Sequence, residues 1–442
     1  MLLTSTNAHS TADLRRAVTD CYAPDGGLYL PDVLPRIPQA YFNNIADMSL
    51  QEIAYVVVSA FLCDETPRQE LKKVVDDAFS FPIPLVGLES GERVLELFNG
   101  PTWAFKDISA RFMARYLQTI PAADRSDVLL LVATTGNTGA AIAQGFAGLA
   151  GVKVLVLYPR GAMSPAHVAS FAGRASNVFA AEVAGTIADC KRMVRMAVTD
   201  EELRAILPVV SGNTHNIIRL LPQVVYFFHA YARLRGRLRH PDGFTLAIPC
   251  GNLSNLTSAV MAWRMGVPVG HIVAGCTAND SFVRVLDGTL APADVTGESR
   301  RTLAPAMDSG YPTNLPRLLR LYGGSVTAMR ADISAYAVGD TEIADTVRDV
   351  YAAEGYMLDP HTAVAMAAMR RYRRHNTSDA PAVVVATAHP AKSAPEMHRI
   401  LGHDIELTSA QKCFNDGRAA APTLRMAPSL QALKKYIFTN II

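Results

Sequence analysis

From about residue 124 onward, short β-branched runs alternate with segments of helical periodicity, and few patterns restrict a fold as closely. Successive parallel strands need a crossover of a dozen or more residues, which a helix supplies. The runs Val128–Ala133, Val152–Tyr158, Phe244–Ile248, His271–Gly275 and Ala382–Ala386 are almost continuously apolar, as strands buried on both faces must be. The expectation is an α/β chain whose parallel sheets carry helices on both faces. Its 442 residues exceed what one core ordinarily holds. Residues 1–85 lack the alternation. They hold helical segments at Leu50–Phe61 and Pro67–Phe79 and a turn cluster, Pro24-Asp25-Gly26-Gly27, and read as a separate N-terminal domain. A larger domain is expected from residues 86–110 with 221–442, and a smaller, mobile one from 111–220. Leu430, Leu433 and Ile437 share one helical face, the pattern of a docking helix.

Bulk properties remove several functions. The formal charge of +2 gives no general attraction for nucleic acid or an anionic membrane. Two arginine-rich runs, Arg233 to Arg239 and Arg370 to Arg374, end apolar-periodic segments and suit helix C-termini. Six cysteines are scattered without a C-x-x-C pair. That argues against a disulfide framework or a zinc site and fits a reducing cytoplasm. There is no H-E-x-x-H motif, no secretory signal pattern and no 18-residue apolar run.

The segment Gly100-Pro101-Thr102-Trp103-Ala104-Phe105-Lys106-Asp107 places one lysine in an apolar, bent approach to a helix on which Ile108, Phe112 and Tyr116 recur. A lysine that loses hydration favours its neutral, nucleophilic form. The same segment also suits a lysine whose stem lies on apolar surface with its head in water. Ligands of open parallel sheets bind beyond the carboxyl ends of the strands. Three strand-end loops are suggestive there. Thr134-Thr135-Gly136-Asn137-Thr138-Gly139 can surround an anion, or be an ordinary polar turn. Gly251-Asn252-Leu253-Ser254-Asn255 opens a helix as a phosphate cradle but matches no nucleotide motif. Thr387 offers a neutral hydroxyl, while His389 reads as a satisfied histidine rather than a catalytic one. In a fourth cluster, 211–219, Arg219 and nearby amides can hold a second anion, or simply cap a helix. One lysine, a phosphate cradle and strand-end polar groups suit one cofactor type, pyridoxal phosphate.

Taken together and in this order, these loops resemble those of the threonine synthases, fold type II pyridoxal-phosphate enzymes of the tryptophan-synthase-β-like group. The likeness spans nearly the whole chain and rests most on Gly100 to Asp107 and on the run Thr387-Ala388-His389-Pro390-Ala391-Lys392. It implies two parallel-sheet α/β domains plus a threonine-synthase-type N-terminal region. It implies a lyase that turns O-phospho-L-homoserine and water into L-threonine and phosphate. By the same resemblance Lys106 is the Schiff-base lysine and proton shuttle. Gly251, Asn252, Leu253, Ser254 and Asn255 hold the cofactor phosphate, Thr387 faces the pyridine nitrogen and Asn137 lies near the ring hydroxyl. Thr134, Thr135, Gly136 and Thr138 hold the amino-acid carboxylate. Asn213, Thr214, Asn216 and Arg219 match a pattern that helps hold the substrate phosphate, and Thr102, Arg160 and Ser164 complete the substrate set. The partner implied is a small amino-acid phosphate. No metal is expected, and the chain is expected to be a cytoplasmic monomer or homodimer.

Some positions depart from that family's pattern. Ala162 stands where a lysine is usual and His167 where a glutamine is. Asn137 replaces an aspartate, Ser254 a glycine and Thr214 a serine. Ser254 would be strained if its position needs positive φ. Ala162 would weaken substrate binding if a lysine there holds the phosphate, unless Arg160 or His167 compensates. The departures leave other readings open: a paralogue for another γ- or β-substituted amino acid, a copy that tolerates a phosphonate mimic, or a homologue that binds cofactor without turnover.

Overall fold

The structure, a computed structural model, describes residues 1–62, 64–120, 127–237, 243–415 and 423–442. Among these residues three sheets organise the chain. The largest has six strands in the order Ile333–Ala337, Val269–Cys276, Phe244–Pro249, Ala382–Ala386, Glu92–Glu96, Leu85–Gly87. All neighbours in it are parallel except the last pair. In its centre Val94, Val384, Ala247 and Val273 form one row across four strands, all fully buried. Their neighbours along the strands, such as Leu95, Val383 and Leu246, are equally buried but belong to a different cluster. Both faces are therefore apolar, which is why these strands read as continuous hydrophobic runs.

Helix Pro360–His375 covers one face. Asp359 caps it, accepting from the amides of His361 at 3.1 Å and Thr362 at 3.0 Å. Its backbone comes so near the sheet that a Cβ on Gly275 would stand 2.8 Å from the Val364 carbonyl oxygen. Two arginines of the run at its end bond within the protein, Arg371 to the Glu342 carboxylate and the Ala337 carbonyl and Arg373 to Glu92, while Arg374 is exposed. In the other run, Arg233 and Arg235 donate to the carbonyls of Met48 and Phe42; Leu238 and Arg239 lie outside the described residues.

A second sheet is wholly parallel, in the order Leu424–Met426, Val178–Val183, Val152–Pro159, Val128–Ala133, Val209–Ser211. Its first strand comes from near the C-terminus. Residues 424–426 thus pair with the sheet built from the 111–220 segment, although the sequence groups them with 221–442 by position. Helix Leu430–Asn440, capped by the Ser429 hydroxyl, follows and buries Leu433 and Ile437 on the same unit. The N-terminal region holds the expected helices, Leu50–Leu62 and Arg68–Ala78, and also a small antiparallel sheet of Thr11–Ala12, Leu3–Ser5 and Tyr29–Pro31. Strands of two and three residues are too short to show periodicity. No helix among the described residues is long and apolar enough to cross a membrane. Cys21, Cys190, Cys250 and Cys276 are free, buried thiols; Cys63 and the side chain of Cys413 lie outside the described residues.

The N-terminal region is bolted on through backbone carbonyls. The fully buried Arg317 guanidinium donates to Tyr29 O at 2.8 Å, Thr214 O at 2.5 Å, His215 O at 2.7 Å and Asn314 Oδ1 at 2.8 Å. Charge-assisted bonds of this kind are strong, and their loss strands buried carbonyls. Arg317→Met should lower unfolding free energy by about 3 kcal/mol or more, read as a drop in urea midpoint. The N-terminal region, residues 1–85, should become protease-sensitive before the two large sheets do.

Candidate active site

Lys106 is placed by two segments that run side by side. Beyond strand Glu92–Glu96 the chain follows the turn after strand Ala382–Ala386: the amide of Leu97 donates to Ala386 O at 3.0 Å, Phe105 to Thr387 O at 2.9 Å and His389 to Trp103 O at 3.0 Å. Helix Lys106–Thr119 then begins at the lysine itself. Its second residue, Asp107, turns back and accepts from the Thr102 amide at 2.9 Å and hydroxyl at 2.5 Å. Gly100 makes room for that carboxylate, since a Cβ there would lie 2.6 Å from Asp107 Oδ2. Lys392 completes the clasp by donating to Thr102 O at 2.9 Å. The lead-in is thus a mould for one lysine. Lys106 is 8% exposed, with Nζ 4.1 Å from the Phe105 ring centre and 3.5 Å from Ser254 Oγ. Burial first, and then the charges of Arg219 and Lys191, push its ammonium down to about 7.

The loop 251–255 lies opposite, at the start of helix Ser254–Arg264. Gly251 passes so close to residue 307 that a Cβ would stand 2.8 Å from the Met307 Cα. Asn252 Oδ1 accepts from the Ser254 amide, and Asn252 Nδ2 donates to Thr214 Oγ1 at 3.1 Å. The left-handed residue of this loop is Leu253, at φ +63°, and not Ser254. The strain expected at Ser254 is therefore absent, because the serine already belongs to the helix. Left-handed leucine costs about 1–2 kcal/mol. Its side chain is 2% exposed, and burying it returns about 1.5–3 kcal/mol, so packing holds the turn.

In the loop 134–139, the Thr134 hydroxyl accepts from the amides of Gly136 and Gly139, both at 2.9 Å. Gly136, at φ +140°, supplies a turn that a side chain would strain. Asn213 clamps the strand end above it, giving and accepting one bond with Ala133 N and O.

One cavity gathers many of the residues singled out by sequence: Lys106, Thr134, Thr135, Asn137, Thr138, Asn213, the loop 251–255 and Thr387. Others stand apart. Thr214 lies behind the cavity, accepting from Asn252 and Asn314. Thr102 is committed to Asp107. Asn216 turns to the N-terminal region, where its Nδ2 donates to Val18 O at 2.8 Å. Arg160 and Ser164 are exposed, and Ser164 caps the short helix Pro165–Ala169 by accepting from the His167 amide. Ala162 is exposed too. Burial pushes the His167 imidazole down to about 4, so it is neutral near pH 7. His389 is satisfied, its Nδ1 accepting from the Ala391 amide.

Arg219 is wholly buried, and none of its three guanidinium nitrogens has a hydrogen-bond partner. Burial lowers it to about 10, against the opposing pull of Tyr226 and Asp107, so it remains a cation. Asn255 Oδ1 is likewise unpartnered. Sequence reasoning missed other cavity residues: Lys191, Asp308, Ser309 and His361. Lys191 lies beside Arg192 on helix Ile187–Val198 and carries no motif. His361 Nε2 accepts from the Ala306 amide at 3.2 Å while Nδ1 meets Asp359 at 2.5 Å, so the ring is locked as a support.

A buried amine with a large neutral fraction near pH 7 suits an aldehyde, and the glycine-tight helix start suits a phosphate. A buried guanidinium without a partner suits a second anion. The residues fit pyridoxal phosphate together with an anionic substrate. The comparisons agree. Three family models match in turn: threonine synthase N terminus over residues 3–79, pyridoxal-phosphate dependent enzyme over 93–388, and threonine synthase, C-terminal over 362–437. The chain is 36% identical over 393 residues to the threonine synthase of Escherichia coli strain K12, covering 89% of each chain. It is 34% identical over 414 residues to that of Serratia marcescens, covering 93% of this chain and 92% of the relative. Among solved structures, the Escherichia coli threonine synthase superposes with a TM-score of 0.90 at 32% identity, covering 99% of both chains. The pyridoxal-phosphate-bound threonine synthase of Brucella melitensis gives 0.87 at 27% identity, covering 99% of this chain and 98% of its own.

The lowered ammonium of Lys106 sets a pH dependence. Its neutral fraction grows as pH rises through 7 and is nearly complete above pH 8. Apoprotein should capture pyridoxal phosphate slowly at pH 6, where about one-tenth of the amine is neutral, and at a level rate above pH 8. Visible absorbance of bound cofactor measures this. A rate still climbing between pH 9 and 10 would betray an ordinary hydrated lysine.

Proposed function

We propose the following division of labour for this chain, which belongs to the threonine synthase family of pyridoxal-phosphate-dependent enzymes and converts O-phospho-L-homoserine and water to L-threonine and phosphate. The observation that carries it is the pairing, near one cavity, of an amine lowered to about 7 with a buried guanidinium that has no partner. The first suits proton transfer at carbon, and the second suits a phosphate group.

When bound, the cofactor withdraws electrons from the substrate's α-carbon. Lys106 then takes the α-proton, because its amine is half neutral near pH 7 and can both accept and return a proton. The amides of 251–255, at a helix start, would hold the cofactor phosphate. Thr387, which lines the cavity, would face the pyridine nitrogen with a hydroxyl, which could not keep a proton there as a carboxylate does. Thr135, Asn137 and Thr138 bind the substrate carboxylate and the cofactor's edge. Arg219 holds the phosphate that leaves from the γ-carbon, and water adds at the β-carbon. The smaller sheet unit closes over the cavity to keep water out until that step. The four free thiols suit a reducing compartment, and we assign the enzyme to the cytoplasm.

The departures from the family pattern bear on this unequally. Ala162 is exposed and Ser254 is unstrained, so neither argues for a rebuilt substrate pocket. Asn137 does line the cavity and should alter the ionisation of a ring hydroxyl beside it.

Holoenzyme given O-phospho-L-homoserine should release phosphate and threonine in equal amounts. Phosphate with 2-oxobutyrate, or no turnover, overturns the reading. Lys106→Ala should cost at least about 10²–10⁴-fold in kcat. Arg219→Met should raise KM about 10–100-fold, the loss of one charge-assisted contact worth about 1.5–3 kcal/mol. The urea midpoint of that variant should not fall, since a buried charge without a partner adds nothing to stability.

A further inference from the structure

We propose that Lys191 is a second cation for the substrate's phosphate and sets the preference for a phosphorylated side chain over an uncharged one; this rests on the reading of the cavity given above. Among the described residues that line the cavity the lysines are Lys106 and Lys191, and no arginine is among them. Lys106 is committed to the cofactor and to proton transfer, which leaves Lys191 as the available ammonium. Its Nζ donates to Ser309 Oγ at 3.1 Å, a neutral partner. No carboxylate among the described residues forms an ion pair with it. The nearest in sequence to that serine, Asp308, is occupied by the Thr302 amide and hydroxyl and by Asn279 Nδ2.

An ammonium facing a cavity with one neutral partner is poorly compensated. Burial lowers it to about 8, so it is still mostly charged at neutral pH. A phosphate monoester brings a charge of about −1.5 to −2 and three acceptor oxygens. Arg219 alone neutralises only one of those charges. Arg219 and Lys191 both depress the Lys106 ammonium, so both fields reach the reacting nitrogen. They come from different elements: Arg219 from the turn Ile217–Arg219, and Lys191 from helix Ile187–Val198 on the smaller sheet unit. Two cations held by separate parts of the chain match a dianion better than either alone. Arg160 is exposed and away from the cavity, whereas Arg219 is buried where its charge acts on Lys106 and Lys191 lines the cavity itself.

The test uses holoenzyme carrying Lys191→Gln or Lys191→Arg. KM for O-phospho-L-homoserine and the inhibition constant of inorganic phosphate are measured for each. Binding of L-norvaline, an amino acid without a phosphate, is read by the change in cofactor absorbance. In Lys191→Gln, phosphate inhibition should weaken about 10–100-fold and KM should rise by a similar factor, with the loss falling on KM more than on kcat. Lys191→Arg should recover most of it, and norvaline should bind both variants as it binds the parent. Unchanged KM and phosphate inhibition in Lys191→Gln would overturn the proposal. So would an equal loss for norvaline, which would mark a structural role. If the parent enzyme binds phosphate but does not turn over O-phospho-L-homoserine, the reaction assigned above fails, and weaker phosphate binding in Lys191→Gln still upholds the anion site.

Discussion

The site depends on the strand Ala382–Ala386 being bonded on both sides by parallel partners. Glu92–Glu96 lies on one flank and Phe244–Pro249 on the other. Parallel strands end at the same edge of a sheet. Three chain segments, far apart in sequence, therefore emerge together: the lead-in to Lys106, the turn at Thr387 and the loop 251–255. The ladder continues beyond the strands, with Phe105 bonded to Thr387 and His389 to Trp103. The distance of 3.5 Å between Lys106 Nζ and Ser254 Oγ follows from this pairing. A one-residue slip would turn every side chain of the central strand to the other face. Ala382, Val384 and Ala386 would then leave the core they share with helix Pro360–His375.

Two buried arginines show how one residue type serves two ends. Arg317 is surrounded by carbonyl oxygens and a side-chain amide oxygen, so its charge is spent on holding the N-terminal region against residues 214–215. Arg219 has no such shell. Burial weakens both cations, but only the second has guanidinium donors without a hydrogen-bond partner. Thr214 joins Arg317 to the loop 251–255, its carbonyl accepting from Arg317 and its hydroxyl from Asn252. The contact that docks the N-terminal region and the loop 251–255 thus share one residue. Asn216 likewise donates to Cys21 Sγ at 3.4 Å, joining the N-terminal region to the segment that carries Arg219.

The legible part of the fold was the part written in apolar side chains. Inner strands such as Ala382–Ala386 must be hydrophobic on both faces, and they were visible for that reason. The strand Leu424–Met426 was not, because it joins its sheet by backbone bonds with two of its three residues exposed. The strand Val178–Val183 was hidden by two alanines, which seldom mark a strand. The site was legible at strand ends, where position alone gathers residues. The direction of a polar side chain was not. Thr102, Asn213 and Asn216 are as polar as their sequence suggests, yet their donors and acceptors are met by Asp107, Ala133 and Val18. Lys191 was passed over for the opposite reason. Beside Arg192 on an amphipathic helix, it looks like part of a solvated face, and only the packing of Cys190, Met193 and Val194 turns it inward.

The return of residues 424–426 to the smaller sheet has a consequence for how the protein comes into being. Every residue that lines the cavity has been synthesised once residue 387 is added, yet the smaller sheet still lacks a strand. Until residue 426 is present, one side of Val178–Val183 offers unpaired amides and carbonyls to any neighbouring chain. Nascent or C-terminally clipped molecules thus pass through a state in which the chemical groups are complete and the edge is open. The short strand and the helix after it act as a late seal against self-association, and the safety of the fold is decided by residues that never touch its chemistry.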